Sequence, residues 1–132
     1  MKRFAVVVAC MALFVGCAGP GADAPRDALI DDFCAAKDWF VAEGLDRLSG
    51  GDFPPPDDAL AELARDWARE FTRVGTPENM SQEARGGFEK AVDRLHDLEG
   101  DDVDPMIFNW QGEDWQNDEV QSFAHYIANT CR

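Results

Sequence analysis

Apolar residues recur along this chain at three- and four-residue steps in four stretches, each bounded by Gly, Pro or Asp. That spacing collects them on one side of a helix with 3.6 residues per turn. The first stretch runs from about Pro25 to Leu48, with Leu29, Ile30, Phe33, Lys37, Phe40, Val41, Leu45 and Leu48 on its mostly apolar side and Cys34 beside Phe33. Pro25 suits a first helical turn, and Ser49-Gly50-Gly51 ends the segment. The second follows Pro54-Pro55-Pro56, whose rings can lead into a helix but not continue one. Asp57 and Asp58 complement its positive N-terminus. Leu60, Leu63, Ala64, Trp67, Phe71 and Val74 form its stripe up to Gly75, opposite a mixed-charge face of Glu62, Arg65, Asp66, Arg69, Glu70 and Arg73.

The third stretch begins near Thr76-Pro77-Glu78 and carries Met80, Ala84, Phe88, Ala91, Val92, Leu95 and Leu98 up to Gly100. Gly86-Gly87 in its middle would cost about 1 kcal/mol per Gly relative to Ala. Either the helix kinks there, or a bulky neighbour such as Trp39 or Trp67 packs against bare backbone. The fourth spans about Asp118 to Cys131, with Val120, Phe123, Ala124, Ile127, Ala128 and Cys131 on one face and Asp118 with Gln121 as a capping box. No alternating run indicates a strand. The pattern predicts an all-α fold, a small up-down bundle of about four amphipathic helices. The alternative is a helical hairpin with an irregular C-terminal half.

Length and composition narrow the classes. The chain has 132 residues, enough for one compact domain. Apolar residues make up 45%, enough to fill a core. Twenty-six Asp and Glu against 12 Lys and Arg give a net charge of −14, so no basic face is available for a nucleic acid. Between the third and fourth helices lies the longest stretch without a period, 101–117, acidic at its start and carrying Met106, Ile107, Phe108, Trp110 and Trp115. Connections this long are often functional. Phe108, Trp110 and Trp115 interleaved with amides and carboxylates form either a surface that recognises sugar or peptide, or a cap over the open end of the bundle.

The N-terminus has its own pattern. Lys2 and Arg3 precede an unbroken apolar run from Phe4 to Val15, too short at about 18 Å to cross about 30 Å of hydrocarbon. A charged start, a short apolar stretch and a small-residue exit describe a secretory signal. The exit Phe14-Val15-Gly16-Cys17 resembles the lipobox of bacterial lipoproteins, in which a small residue precedes an obligatory Cys, although Phe14 stands where that family usually has Leu. Val8-Ala9-Cys10 is a competing match with a shorter apolar core. The resemblance implies that residues 1–16 are removed and that Cys17 receives a diacylglycerol. It also implies a protein anchored on the extracytoplasmic face of the cell membrane. Ala18 to Ala24, small and rich in Gly and Pro, is then expected to tether a helical domain of residues 25–132. The Ala/Asp/Arg-rich, Lys-poor composition and the closing Tyr126 to Cys131 segment resemble small lipoproteins of high-GC Gram-positive bacteria, which adds location and fold but no site.

On that reading Cys10 leaves with the signal and Cys17 carries lipid. Cys34 and Cys131 remain, 97 positions apart, and in an oxidising compartment they most simply form one disulfide, the alternative being two buried free thiols. Ten Lys and Arg would remain against 26 Asp and Glu, a balance of −16, with no basic cluster for anionic headgroups. The lipid alone would hold the chain to the membrane.

Catalytic and metal chemistry have little to build on. His96 and His125 are the two histidines, and only Asp93-x-x-His96 echoes a di-iron motif. Asp101, Asp102 and Asp104 fail the EF-hand pattern, with Met106 and Ile107 at its fifth and sixth positions. There is no nucleophile elbow and no phosphate loop. The expectation is therefore a non-enzymatic envelope module with no cofactor and no metal, whose acidic field favours a basic protein or polymer partner. The alternative is a carrier of a sugar or peptide that uses the aromatic loop.

Overall fold

The computed structural model describes residues 19–51, 56–99 and 116–132. The described residues form four α-helices and one 3-10 turn, with no strand among them. The helices are α1 (Ile30–Leu48), α2 (Asp57–Val74), α3 (Gln82–His96) and α4 (Asp118–Thr130), and the 3-10 turn is Pro20–Asp23. This is the expected all-α bundle. Neighbours in sequence are neighbours in space, α1 on α2, α2 on α3 and α3 on α4, while α1 and α4 close the circle over a much shorter seam.

One phenylalanine from each helix makes the centre of the core. Phe33, Phe71, Phe88 and Phe123 are all buried. Their rings meet in a closed circuit, Phe33 to Phe71 at 5.9 Å, Phe71 to Phe88 at 5.9 Å, Phe88 to Phe123 at 5.7 Å and Phe123 to Phe33 at 6.4 Å between centroids. Most of these pairs are edge-to-face, the arrangement favoured by the ring quadrupole and worth about 0.5–1.5 kcal/mol each beyond area burial. Each ring lies on the apolar stripe its helix shows in the sequence. Trp67 extends the cluster, packing on Phe71 and Phe40 while its indole Nε1 donates to the carbonyl of Ala36 at 2.9 Å.

The ends of the helices differ from expectation in local ways with clear causes. α1 starts at Ile30 rather than near Pro25, because residues 25 and 28 are bonded to the α2–α3 turn. The Thr76 amide donates to the Pro25 carbonyl at 2.9 Å and the Ala28 amide donates to the Thr76 carbonyl at 3.1 Å. Gly75, which stops α2 as its position suggests, has φ +82, and a side chain there would strike the backbone of Pro25. α3 starts at Gln82 rather than at Pro77, capped by the Ser81 hydroxyl, which accepts from the Ala84 amide at 3.1 Å. α4 is capped one residue earlier than expected, by Asn117 and not Asp118: the Asn117 Oδ1 accepts from the Val120 amide at 2.8 Å.

Gly86-Gly87 does not interrupt α3. The helix is continuous across them, and the second expected explanation holds with a different partner. A side chain on Gly87 would meet the Glu119 carbonyl and the Phe123 Cβ, so the bare backbone admits α4 itself rather than Trp39 or Trp67. This close approach explains why α3 packs more extensively on α4 than on any other helix.

The largest departure concerns the chain before α1. Residues 18–24 were expected to be a flexible tether, yet from Gly19 onward they are folded onto the outside of α3. Gly21 and Ala24 are buried, and the Gly21 amide donates to the Asp93 carboxylate at 2.9 Å. The cause is Arg85, which the apolar pattern of α3 does not single out. Its side chain is only 3% exposed. One terminal nitrogen donates to the Pro25 carbonyl (2.9 Å) and the Thr76 hydroxyl (2.7 Å), and the other to the carbonyls of Gly21 (3.0 Å), Ala22 (3.4 Å) and Ala24 (2.7 Å). Its Nε donates to Glu89 at 2.9 Å, and the guanidinium lies over the Phe88 ring at 5.0 Å. A planar fork with five donors suits this set of carbonyls in a way that Lys cannot. Gly19 and Gly21, where a side chain would strike Asp93 and the Glu89 backbone, let the strap, Gly19–Leu29, come close enough to be bonded.

Candidate functional site

Two of the residues marked out in the sequence are brought together. Cys34 near the start of α1 and Cys131 just after α4 form a disulfide with Cα atoms 5.4 Å apart. Cys17, Phe108, Trp110 and Trp115 lie outside the described residues, as does the acidic turn at Asp101, Asp102 and Asp104.

The described residues do hold a cleft, in a place the sequence does not announce. Away from the disulfide, α1 and α4 draw apart and leave a half-open apolar space of about 330 Å³. α1 supplies Phe40 and Val41 to one wall, α4 supplies Phe123, Ala124, Ile127 and Ala128 to the other, and Trp67 and Phe71 of α2 form the floor. Lys37 and Asp38 stand at the rim, paired with each other at 2.7 Å. The floor is rigid. Trp67 is fixed by its bond to Ala36, and Phe71 and Phe123 belong to the four-ring core.

The cleft arises because α1 is apolar over more of its circumference than the bundle can cover. Phe33 and Ala36 are buried, but Val41 is 59% exposed and Leu45 69% exposed, although their spacing assigns them to the same apolar side. An apolar arc wider than the neighbouring helices can cover is the signal that could have located the cleft. At the other end of α1, Leu29 and Ile30 are also exposed. Two further depressions, one at Ala28–Asp31 with Pro77–Asn79 and one at Asp32, Trp39, Glu70 and Arg73, are more polar and offer less to an apolar ligand.

A set of ion pairs lies away from the cleft, on the α1–α2 surface. Arg47 donates to Asp66 and Glu43, both at 2.8 Å, and these bonds raise its pKa. Arg69 also bonds Asp66, and Arg73 donates to Glu70 at 2.6 and 3.0 Å. The Arg73 bonds lower the Glu70 pKa from the ordinary carboxylate value and raise that of Arg73. The mixed-charge face read from the sequence is therefore a set of i, i+3 pairs, except that Arg65 turns away and donates to the Leu98 carbonyl at 2.7 Å. These contacts tie α1 to α2 and brace the surface of α2.

Among the described residues no three His, Cys, Asp or Glu side chains gather in a way that could hold a metal ion. His125 is exposed, and the His96 Nδ1 is 3.7 Å from Asp97. Ser81 is occupied as a cap, and the Ser49 hydroxyl donates to the Asp46 carbonyl at 3.0 Å. No described helix is long and apolar enough to cross a membrane. Comparison of the chain with protein-family models, with curated proteins and with solved structures finds no match.

Proposed function

We propose that this protein is a lipid-anchored binding module on the extracytoplasmic face of the cell membrane, non-enzymatic, that receives the apolar side of a basic envelope partner in the α1–α4 cleft. The observation that carries the reading is the cleft: an apolar space with a rigid aromatic floor and an exposed wall at Val41, continued by the exposed Leu45. Isolated exposed apolar side chains are ordinary on a protein surface, but apolar residues that continue a preformed cleft mark an interaction site. Charge supports the choice of partner. A chain of net charge −14 attracts a basic ligand over a distance of about 10 Å in ordinary salt and repels an acidic one. An amphipathic helix with an apolar face and Lys or Arg on its flanks is the ligand form that such a groove accepts.

Anchoring rests on the lipobox at Phe14-Val15-Gly16-Cys17. The Cys34–Cys131 bond supports an oxidising compartment, where disulfides persist. Two acyl chains on Cys17 would make attachment stable without any basic patch. A small-ligand carrier is the second reading, favoured by the volume of the cleft, which falls in the range used for small molecules. In that case the cleft, rather than Phe108, Trp110 and Trp115 alone, would hold the apolar part of the ligand.

Binding is tested with two synthetic amphipathic helical peptides that share a leucine face and carry either Lys or Glu on their flanks. The Lys peptide is expected to shift amide resonances of Val41, Ala124 and Ala128, and to lose at least tenfold in affinity with V41D. Equal affinity for the Glu peptide, or shifts that avoid the cleft, would overturn the reading. Anchoring is tested by the mass of the mature chain and by C17S, which is expected to leave the protein unprocessed or free of membranes.

A further inference from the structure

We infer that the bundle lies directly against the bilayer on its strap side, so that the α1–α4 cleft opens away from the membrane. The inference rests on the lipid anchor proposed above and goes beyond it, because it depends on how the strap is folded. Had residues 18–24 been a free tether, the domain could tumble and the cleft could point anywhere. Instead the chain is fixed from Gly19 onward, since Gly21 is bonded to Asp93 and the next carbonyls are held by Arg85. Only Ala18 stands between Cys17 and Gly19. At about 3.5 Å per extended residue, the lipid-bearing Cα lies within about 7 Å of the Gly19 Cα. The acyl chains must enter the bilayer, so the surface around the strap is held close to the headgroups.

The strap and the cleft occupy opposite sides. On α3, Gly87 faces α4, while Arg85 and Glu89, two positions to either side and about 160° from it around the helix, face the strap. The Pro20–Asp23 turn, the part of the strap nearest the anchor, contacts α3 and, to a smaller extent, α2, whereas the cleft opens between α1 and α4. Its mouth is thus on the far side of the bundle from that turn. A ligand reaching Val41 and Leu45 arrives from the aqueous side, and membrane lipid is the wrong occupant for this cleft.

The lipidated full-length product, its diacylglycerol verified by mass, is placed in bicelles of neutral phosphatidylcholine doped with a gadolinium-chelating lipid. Amide relaxation enhancement is then read by NMR. Amides of Gly21, Glu89 and Asp93 should be broadened strongly. With helices about 10 Å wide, those of Val41, Ala124 and Ala128 should be broadened at least about fivefold less. A second variant with ten Gly/Ser residues inserted between Ala18 and Gly19 should remain membrane-bound and lose that difference. Equal broadening of the two faces in the unmodified spacing, or stronger broadening at the cleft, would overturn the orientation while leaving the anchor standing. A difference that survives the insertion would also overturn it, since the short link would not be its source. A mature chain without the lipid mass would overturn the anchor and the orientation together.

Discussion

Replacing Arg85 with Met tests the account of the strap most directly. Met keeps much of the apolar stem and removes the fork, which lies over Phe88. The carbonyls of Gly21, Ala22, Ala24 and Pro25 then lose their shared donor, as does the Thr76 hydroxyl. Hydrogen bonds to a charged group contribute about 1.5–3 kcal/mol each, but they are not additive, and the carbonyls regain water if the strap lifts. Burying the guanidinium also carries a desolvation cost that the variant no longer bears. The net loss is therefore expected to be about 2–4 kcal/mol. For a domain of this size, that lowers the melting temperature by roughly 8–14 °C. Circular dichroism reads the melting point, and hydrogen exchange reads the location of the change. Protection should collapse first at the amides of Gly21, Ala24, Ala28 and Thr76, whose acceptors depend on the strap staying in place. If those four amides kept their native protection in R85M, Arg85 would not be what folds the strap, and the reasoning would be refuted even if the melting point fell.

Two further outcomes follow from contacts on α3 and α2. G87V should destabilise the bundle by about 1–3 kcal/mol in chemical denaturation, because the new side chain meets the Glu119 carbonyl and Phe123, whereas a Val at exposed Gly50, with open space around it, should stay within about 0.5 kcal/mol. Glu70 ties stability to acid. Its native pKa is lowered chiefly by the Arg73 hydrogen bonds, so its contribution is complete above the unfolded value near 4.3 and is lost as pH falls through the lower native value. E70Q should therefore cost about 0.5 kcal/mol at pH 7 and nothing near pH 2, as read from denaturant titrations at the two pH values; equal losses at both would show that the pair is not the cause.

The core was legible because each helix writes its share of it locally. Phe33, Phe71, Phe88 and Phe123 each fall on a stripe visible within a single segment, and four stripes need one another to be covered. Gly75 and the mixed-charge face of α2 were readable for the same reason. What the sequence hid depends on contacts between distant segments. Nothing near Arg85 indicates that an arginine in α3 will be buried, because the carbonyls that hold it lie about sixty residues earlier. A run of Gly, Ala and Pro reads as slack when alone and becomes a fitted segment once a donor fork faces it. The late start of α1 has a similar origin, since residues 25 and 28 bond to Thr76. The cleft was missed for a different reason. Periodicity shows that Val41 and Leu45 are apolar, but it cannot show that α4 fails to reach them.

The bond between Cys34 and Cys131 has a consequence for durability that thermal stability does not capture. It turns most of the four helices and every connection between them into one covalent circle, with the strap outside it as the lead-in. A protease that cuts the circle once, at any connection, opens it without releasing a fragment. The severed chain remains a single molecule, still joined to whatever residue 17 holds. Two cuts within the circle are needed before any fragment of it can diffuse away, a useful margin where degrading enzymes are common and a lost fragment cannot be recovered.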